Sequence, residues 1–158
     1  GLSCSAIGHP ASQGRGAVVT AIEPVRHSPH VMVHFCSPDR RYEPLQPIRI
    51  QYQIELSAGS TVQAIERSIL WYTEGKGEED LGVHAFERIT DGATIAAAAG
   101  AGAFESHLPP SPLSYEGLIV KVRWCVRVRL FFEGGRDFVS EHVFDLGTVP
   151  AALSRAVP

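Results

Sequence analysis

Alternation of apolar and polar side chains is the main signal in this sequence. It is clearest over residues 120–132, where every even-numbered position is apolar and Lys121, Arg123, Arg127 and Arg129 lie between them. A period of two is that of a β-strand with one face buried against a core. The pattern therefore predicts a strand whose other face carries a row of four cations.

Similar alternation predicts strands along most of the chain. Residues 45–56 alternate most regularly, and we expect them to pair with residues 61–73 in a hairpin across the turn SAGS. The prolines between residues 109 and 112 predict an extended connection before the cationic strand. The remaining strand candidates are residues 17–23, 30–35, 81–89 and 137–146.

The last two predicted strands also allow a register to be predicted. An odd number of loop residues, three or five around the glycine pair at 134–135, keeps their apolar rows on one face. A slip of one residue would exchange the faces. With Phe132 opposite Phe138, this register places Arg129 opposite Glu141.

These patterns predict an all-β protein. We expect an antiparallel β-sandwich of two sheets, immunoglobulin-like or arrestin-like, with about seven to nine strands. Only residues 93–104 leave helix open, because their alanines favour helix while their glycines favour a loop or an irregular strand. We assign residues 1–16 to a flexible N-terminal arm, 17–147 to the sandwich and 148–158 to a C-terminal tail.

The core is predicted from the long strand and a neighbouring one. Its apolar row centres on a tryptophan, and a second tryptophan follows isoleucines in residues 61–73. The residues expected to share one core between the sheets are Trp71, Val122, Trp124, Val126 and Val128.

Charge and cysteine content narrow the function. A net charge of -3, from 14 basic and 17 acidic residues, predicts no general attraction to nucleic acid and no direct membrane association. The three cysteines, Cys4, Cys36 and Cys125, are widely spaced and odd in number, so we expect free thiols in a reducing, cytoplasmic compartment. The N-terminus shows no signal-peptide pattern. Because the chain begins with Gly rather than Met, this observation applies to the residues given and not to any segment upstream of them.

Two segments contain residue types that bind metals. His30, His34 and Cys36 are weak candidates for a zinc site, because His34 and Cys36 share a strand face. His30 lies on that face too, but the four strand residues from His30 to His34 span about 13 Å, which is too far to share one ion. A metal-dependent enzyme or binder therefore stays an alternative to histidines on an edge strand.

The acidic turn Glu78, Glu79 and Asp80 suggests a calcium-dependent membrane-binding sandwich as a further alternative. It lacks the Asp-x-Asp spacing of common calcium loops, and a solvated turn is favoured. No Gly-x-Ser-x-Gly is present, and Ser111 near His107 lies in a proline-rich loop without triad spacing. We predict no catalytic residue and no cofactor.

Three segments together resemble proteins of the arrestin fold. The segment LPPSPLSYEG at 108–117 is similar to the family's Pro-Pro-Ser stretch before a strand, with Pro112 and Leu113 as two extra residues. Residues 40–56 resemble the family's extended entry into a long strand, and residues 69–80 its tryptophan-containing turn. Such proteins, including bacterial sporulation-control proteins, have two sandwiches, whereas this chain has residues for one. The resemblance implies a non-catalytic interaction or trafficking adaptor.

The cationic row then has two interpretations. Lys121, Arg123, Arg127 and Arg129 span a length suited to a phosphate backbone, but a cysteine and a phenylalanine interrupt the row and no aromatic stacking set accompanies it. We favour a solvated, partly paired face, with a protein partner carrying acidic groups as its functional version. A homodimer through an edge strand is a further possibility for the partner.

Overall fold

The computed structural model describes residues 28–98 and 100–147. The predicted N-terminal arm, the strand candidate at 17–23 and the C-terminal tail lie outside the described residues. The bounds assigned to the three segments therefore stay predictions.

The described residues form nine strands and one short helix. All strand candidates within them are present, and 30–35, 81–89 and 137–146 agree with the observed bounds. The elements are β1 His30–Phe35, β2 Arg41–Tyr42, β3 Pro47–Glu55, β4 Val62–Gly75, β5 Leu81–Ile89, α1 Gly92–Ala98, β6 Ala101–His107, β7 Tyr115–Glu116, β8 Val120–Phe132 and β9 Asp137–Leu146.

The strands form two sheets packed face to face, which confirms the all-β sandwich. The three-stranded sheet has the order β1-β3-β6, and the six-stranded sheet has the order β2-β9-β8-β4-β5 with β7 beside β8. All pairs are antiparallel except the short pair of β2 with β9. The alanine-rich segment divides between helix α1 and strand β6. Asp91 caps α1, because its carboxylate accepts from the Thr94 backbone at 2.9 Å.

The predicted hairpin between residues 45–56 and 61–73 is wrong. Strand β3 belongs to the three-stranded sheet, whereas β4 pairs with β5 and β8 in the other sheet. The turn at Ser57–Ser60, closed by a backbone hydrogen bond of 3.2 Å, therefore carries the chain from one sheet to the other. Alternation requires a buried face, but it does not say which sheet supplies the strand's neighbours.

The interior contains two apolar clusters. Trp124 and Val126 belong to one, with Trp71 packed at its edge, and Val128 belongs to the other. Val122 is in neither, because it lies at the end of β8 beside β7. The prediction of one shared core is therefore wrong for Val122 and Val128, because the buried residues form two clusters along the 13 residues of β8.

Arg67 links the two sheets from inside the sandwich. Its guanidinium lies 2.7 Å from the Glu87 carboxylate within the six-stranded sheet. It also donates to the Tyr52 hydroxyl at 3.2 Å and to the Ala103 carbonyl at 3.1 Å, both in the three-stranded sheet. These bonds satisfy a cation on the inner face, which would otherwise carry a large desolvation cost.

Candidate functional site

The four cations of the predicted row lie on the outer face of β8, and each is paired with an acid. The distances between the charged atoms are 2.6–2.8 Å. The pairs are Lys121 with Glu116, Arg123 with Glu74, Arg127 with Glu141, and Arg129 with Asp137.

The register of β8 with β9 explains which acids these are. The observed pairing places Leu130 opposite Phe138 and Arg127 opposite Glu141. It differs by two residues from the predicted register, so the predicted pairing of Arg129 with Glu141 is wrong. The connecting loop has three residues, closed by a bond of 2.8 Å from the Phe132 amide to the Arg136 carbonyl. Both odd-length loops keep the faces matched, and the shorter one forms.

Electrostatics within the row are local. The hydrogen bond from Lys121 lowers the pKa of the Glu116 carboxyl below its ordinary value. The hydrogen bond to Glu74 raises the pKa of Arg123. Because every cation has an acid within 2.8 Å, the face is a ladder of ion pairs rather than a continuous positive stripe.

Cys125 lies in the middle of the ladder but is fully buried. Burial, followed by the charge of Glu141, raises the pKa of its thiol to about 12. A thiol with such a pKa is protonated at neutral pH and is a poor nucleophile, whatever the number of arginines beside it.

Phe131, the second interruption, is held between two arginines. The guanidinium carbons of Arg88 and Arg129 each lie 4.7 Å from the centre of its ring. Arg88 is in turn paired with Glu66 on β4. The aromatic ring is therefore covered by charged groups and does not form a free stacking platform for a base.

Strand β5 presents an apolar strip that the sequence analysis missed. Leu81, Val83 and Phe86 are 55%, 53% and 58% exposed. A bulge opposite Ile69 and Leu70 shifts the register, so that odd-numbered Leu81 and Val83 share the outer face with even-numbered Phe86. Strict alternation would have placed them on opposite faces.

The strip lies on β5, the strand at one edge of the six-stranded sheet. Within the part of the chain that the structure describes, β5 pairs with β4 and has no strand on its other side. The charged residue that β5 presents on the same face, Arg88, is paired with Glu66. The outer face therefore combines an apolar strip at an open edge with an ion-paired surface beside it.

The zinc candidates do not meet. His30 lies 3.8 Å from the Glu55 carboxylate on the neighbouring strand, and His34 is exposed on the same side of β1. Cys36 is disulfide-bonded, which contradicts the prediction that all three cysteines are free and leaves this thiolate unavailable as a ligand. Across residues 28–98 and 100–147, no group of three or more His, Cys, Asp or Glu side chains is arranged to hold a metal ion.

A serine and a histidine do come together on β9. The Ser140 hydroxyl oxygen lies 2.7 Å from Nε2 of His142. Burial and then the cation Arg40 lower the pKa of His142. A hydrolytic triad needs an acid to orient and stabilise the histidine, whereas here the neighbouring charge is positive.

In the described chain, no helix is long and apolar enough to cross a membrane.

Comparison with known proteins shows the fold. No protein-family model matches the chain, and a search of curated proteins finds no match. Among solved structures, the chain is similar to the sporulation control protein Spo0M from Bacillus subtilis, with a TM-score of 0.54 and 14% identity. The similarity covers 78% of this chain and 51% of that one, so the chain spans about half the length of Spo0M.

Proposed function

We propose that the chain is a non-catalytic protein-interaction module, and that its partner binds the outer face of the six-stranded sheet at the β5 edge. The described fold is arrestin-like, as the resemblance implied. The observation that carries this proposal is the strip of Leu81, Val83 and Phe86, each more than half exposed on the outer face. An apolar centre beside a polar, ion-paired border is the usual arrangement of a protein interface.

The ion-pair ladder favours a protein over a polyanion. A phosphate backbone would have to displace Glu74, Glu141 and Asp137 from arginines that they contact at 2.6–2.7 Å. A protein surface with both signs of charge exchanges pairs without that loss. We therefore propose a partner surface with an apolar patch and charges of both signs, instead of the acidic partner expected from the sequence.

A strand is the form of partner that suits this edge. Addition of an extended segment to an exposed sheet edge uses main-chain hydrogen bonds for affinity and alternate side chains for specificity. A second copy of the chain offers the same edge and is the first partner to test.

The test compares three forms of the chain. The strip variant carries Leu81→Ser, Val83→Ser and Phe86→Ser, and the control carries Leu45→Ser, a leucine outside the strip that is 66% exposed. Sedimentation velocity measures self-association, and quantitative affinity capture from the producing cells measures other partners. We expect at least one association that the strip variant loses and the control keeps. If the strip variant retains every association of the parent chain, the proposed binding surface is refuted.

The cellular compartment of the chain is a separate question from its binding surface. A disulfide at Cys36 is typical of an oxidising compartment, whereas the cysteine spacing suggested a cytoplasmic one. The cytoplasmic location stays a prediction. Trapping thiols in intact cells before lysis tests it, because a cytoplasmic chain is expected to yield Cys36 in the reduced form.

A further inference from the structure

The hairpin of β7 and β8 ends in two exposed aliphatic residues. Leu118 and Ile119 are 80% and 71% exposed. They form the apex, because the Gly117 amide donates to the Val120 carbonyl at 3.1 Å and Glu116 pairs with Lys121 at 2.8 Å directly behind it. Hairpin turns usually carry glycine, asparagine or aspartate, so two adjacent large aliphatic side chains there need a reason other than turn geometry.

The apex is fixed against the neighbouring turn. The Lys76 amide donates to the Ile119 carbonyl at 3.2 Å. Gly75, with a φ of 141°, permits this approach, because a Cβ atom there would clash with the same oxygen. The apex and the turn after β4 are therefore held together, and the aliphatic side chains project from a supported base.

That turn is the acidic segment Glu78, Glu79 and Asp80. It is closed by hydrogen bonds between Thr73 and Asp80 of 2.8 and 2.9 Å. Within residues 28–98 and 100–147, none of the three carboxylates takes part in an ion pair. One end of the six-stranded sheet thus presents two aliphatic side chains next to three acids that form no ion pair in the described chain, with Lys76 as one cation in the same turn.

We propose that this apex, Leu118 and Ile119, inserts into an apolar pocket of a protein partner whose rim carries lysine or arginine. The convex apolar tip fits a concave apolar site, and the unpaired acids complement a basic rim. An anionic membrane is disfavoured, because its surface potential repels Glu78, Glu79 and Asp80. This contact is separate from the β5 strip and does not rest on it.

The probe is a displayed library of small folded domains with randomised surface pockets, selected on the purified chain. Three variants of the chain are compared with the parent: L118S/I119S at the apex, E78Q/E79Q/D80N in the turn, and L45S as the control. We expect selected domains whose pockets are apolar and carry lysine or arginine at the rim. Their affinity should fall about tenfold or more for the apex variant. It should fall less for the turn variant, with the difference fading at high salt, and remain unchanged for L45S.

Several outcomes would overturn the inference. One is selected domains that bind the apex variant as well as the parent chain. Another is apex-dependent binding to vesicles of anionic phospholipid, and a third is a dimer of the parent chain that does not form with the apex variant. Equal unfolding midpoints for all variants establish that the fold is intact. If the apex variant binds normally while the strip variant loses its partner, this inference fails and the proposed function stands.

Discussion

The indole nitrogen of Trp124 donates a hydrogen bond to the carbonyl oxygen of Pro112 at 2.8 Å. Trp124 is fully buried, and a buried indole N–H needs a partner. Pro112 and Leu113 are the two residues by which this chain departs from the arrestin-type Pro-Pro-Ser pattern. Pro112 satisfies the tryptophan, and Leu113 packs against the same apolar cluster. The two extra residues therefore take part in the packing of the core.

Replacing Trp124 tests this relationship. We expect Trp124→Ala to lower the free energy of unfolding by about 3–5 kcal/mol, because it leaves a cavity. Trp124→Phe keeps most of the ring but leaves the Pro112 carbonyl without its donor, and we expect a loss of about 1–3 kcal/mol. Denaturant unfolding measures both, and a loss below about 1 kcal/mol for Trp124→Ala would contradict the core assignment.

The ion pair of Arg127 with Glu141 can be reversed. We expect Arg127→Glu alone to destabilise the sheet, because it places two acids opposite each other. Adding Glu141→Arg should restore about 0.2–1 kcal/mol, the usual value of an exposed pair. A double-mutant cycle in denaturant measures the coupling, and zero coupling would mean that the pair does not persist in solution.

The same ladder of ion pairs predicts a low affinity of this face for polyanions. We expect weak, salt-sensitive binding of single-stranded or duplex nucleic acid, because no cation of the row is uncompensated. Titration across a salt series measures it. Sub-micromolar binding at physiological salt that is lost on Arg127→Ala with Arg129→Ala would make the row a nucleic-acid site.

His142 should make stability depend on pH. Burial and Arg40 lower its pKa below the ordinary value of 6.5, so the unfolded chain binds the proton more tightly. Its contribution is fully present above pH 6.5 and is lost as the pH falls toward the folded-state pKa. Unfolding free energies between pH 5 and pH 8 measure the slope, with His142→Gln as the comparison. An unchanged slope in the variant would assign the dependence to other groups.

The two described cysteines should react differently. Cys125 is buried with a pKa of about 12, so we expect no alkylation in the folded protein and rapid alkylation after unfolding. In protein purified without reductant, Cys36 should be alkylated only after reduction, because it is disulfide-bonded in the structure. Peptide mass mapping distinguishes the two. Labelling of Cys36 in unfolded, unreduced protein would restore the original expectation of free thiols.

Particular residues show where sequence patterns were sufficient. The even-numbered residues of β8 from Trp124 to Phe132 face the interior because a pleated strand directs alternate side chains to opposite faces. This property is local, and it correctly placed Trp124 inside and Arg127 outside. It also predicted an odd-length loop between β8 and β9. Family resemblance supplied the arrestin-like class from segments such as 108–117.

The choice of neighbours required the tertiary structure. Whether β4 pairs with β3 or with β8, and whether Arg127 or Arg129 contacts Glu141, depends on contacts between residues far apart in sequence. Several registers preserve the same buried faces, so the alternation is equally satisfied by each.

By itself, the sequence determined the all-β class, the bounds of most strands and the inner and outer faces of β8, because these follow from short-range backbone geometry. Only the tertiary structure decided that the cationic row is fully ion-paired, that a bulge brings Leu81, Val83 and Phe86 to one face, and that the turn after β4 is hydrogen-bonded to Ile119. Those features depend on packing between distant segments, where the free energy of many weak contacts selects one register from several.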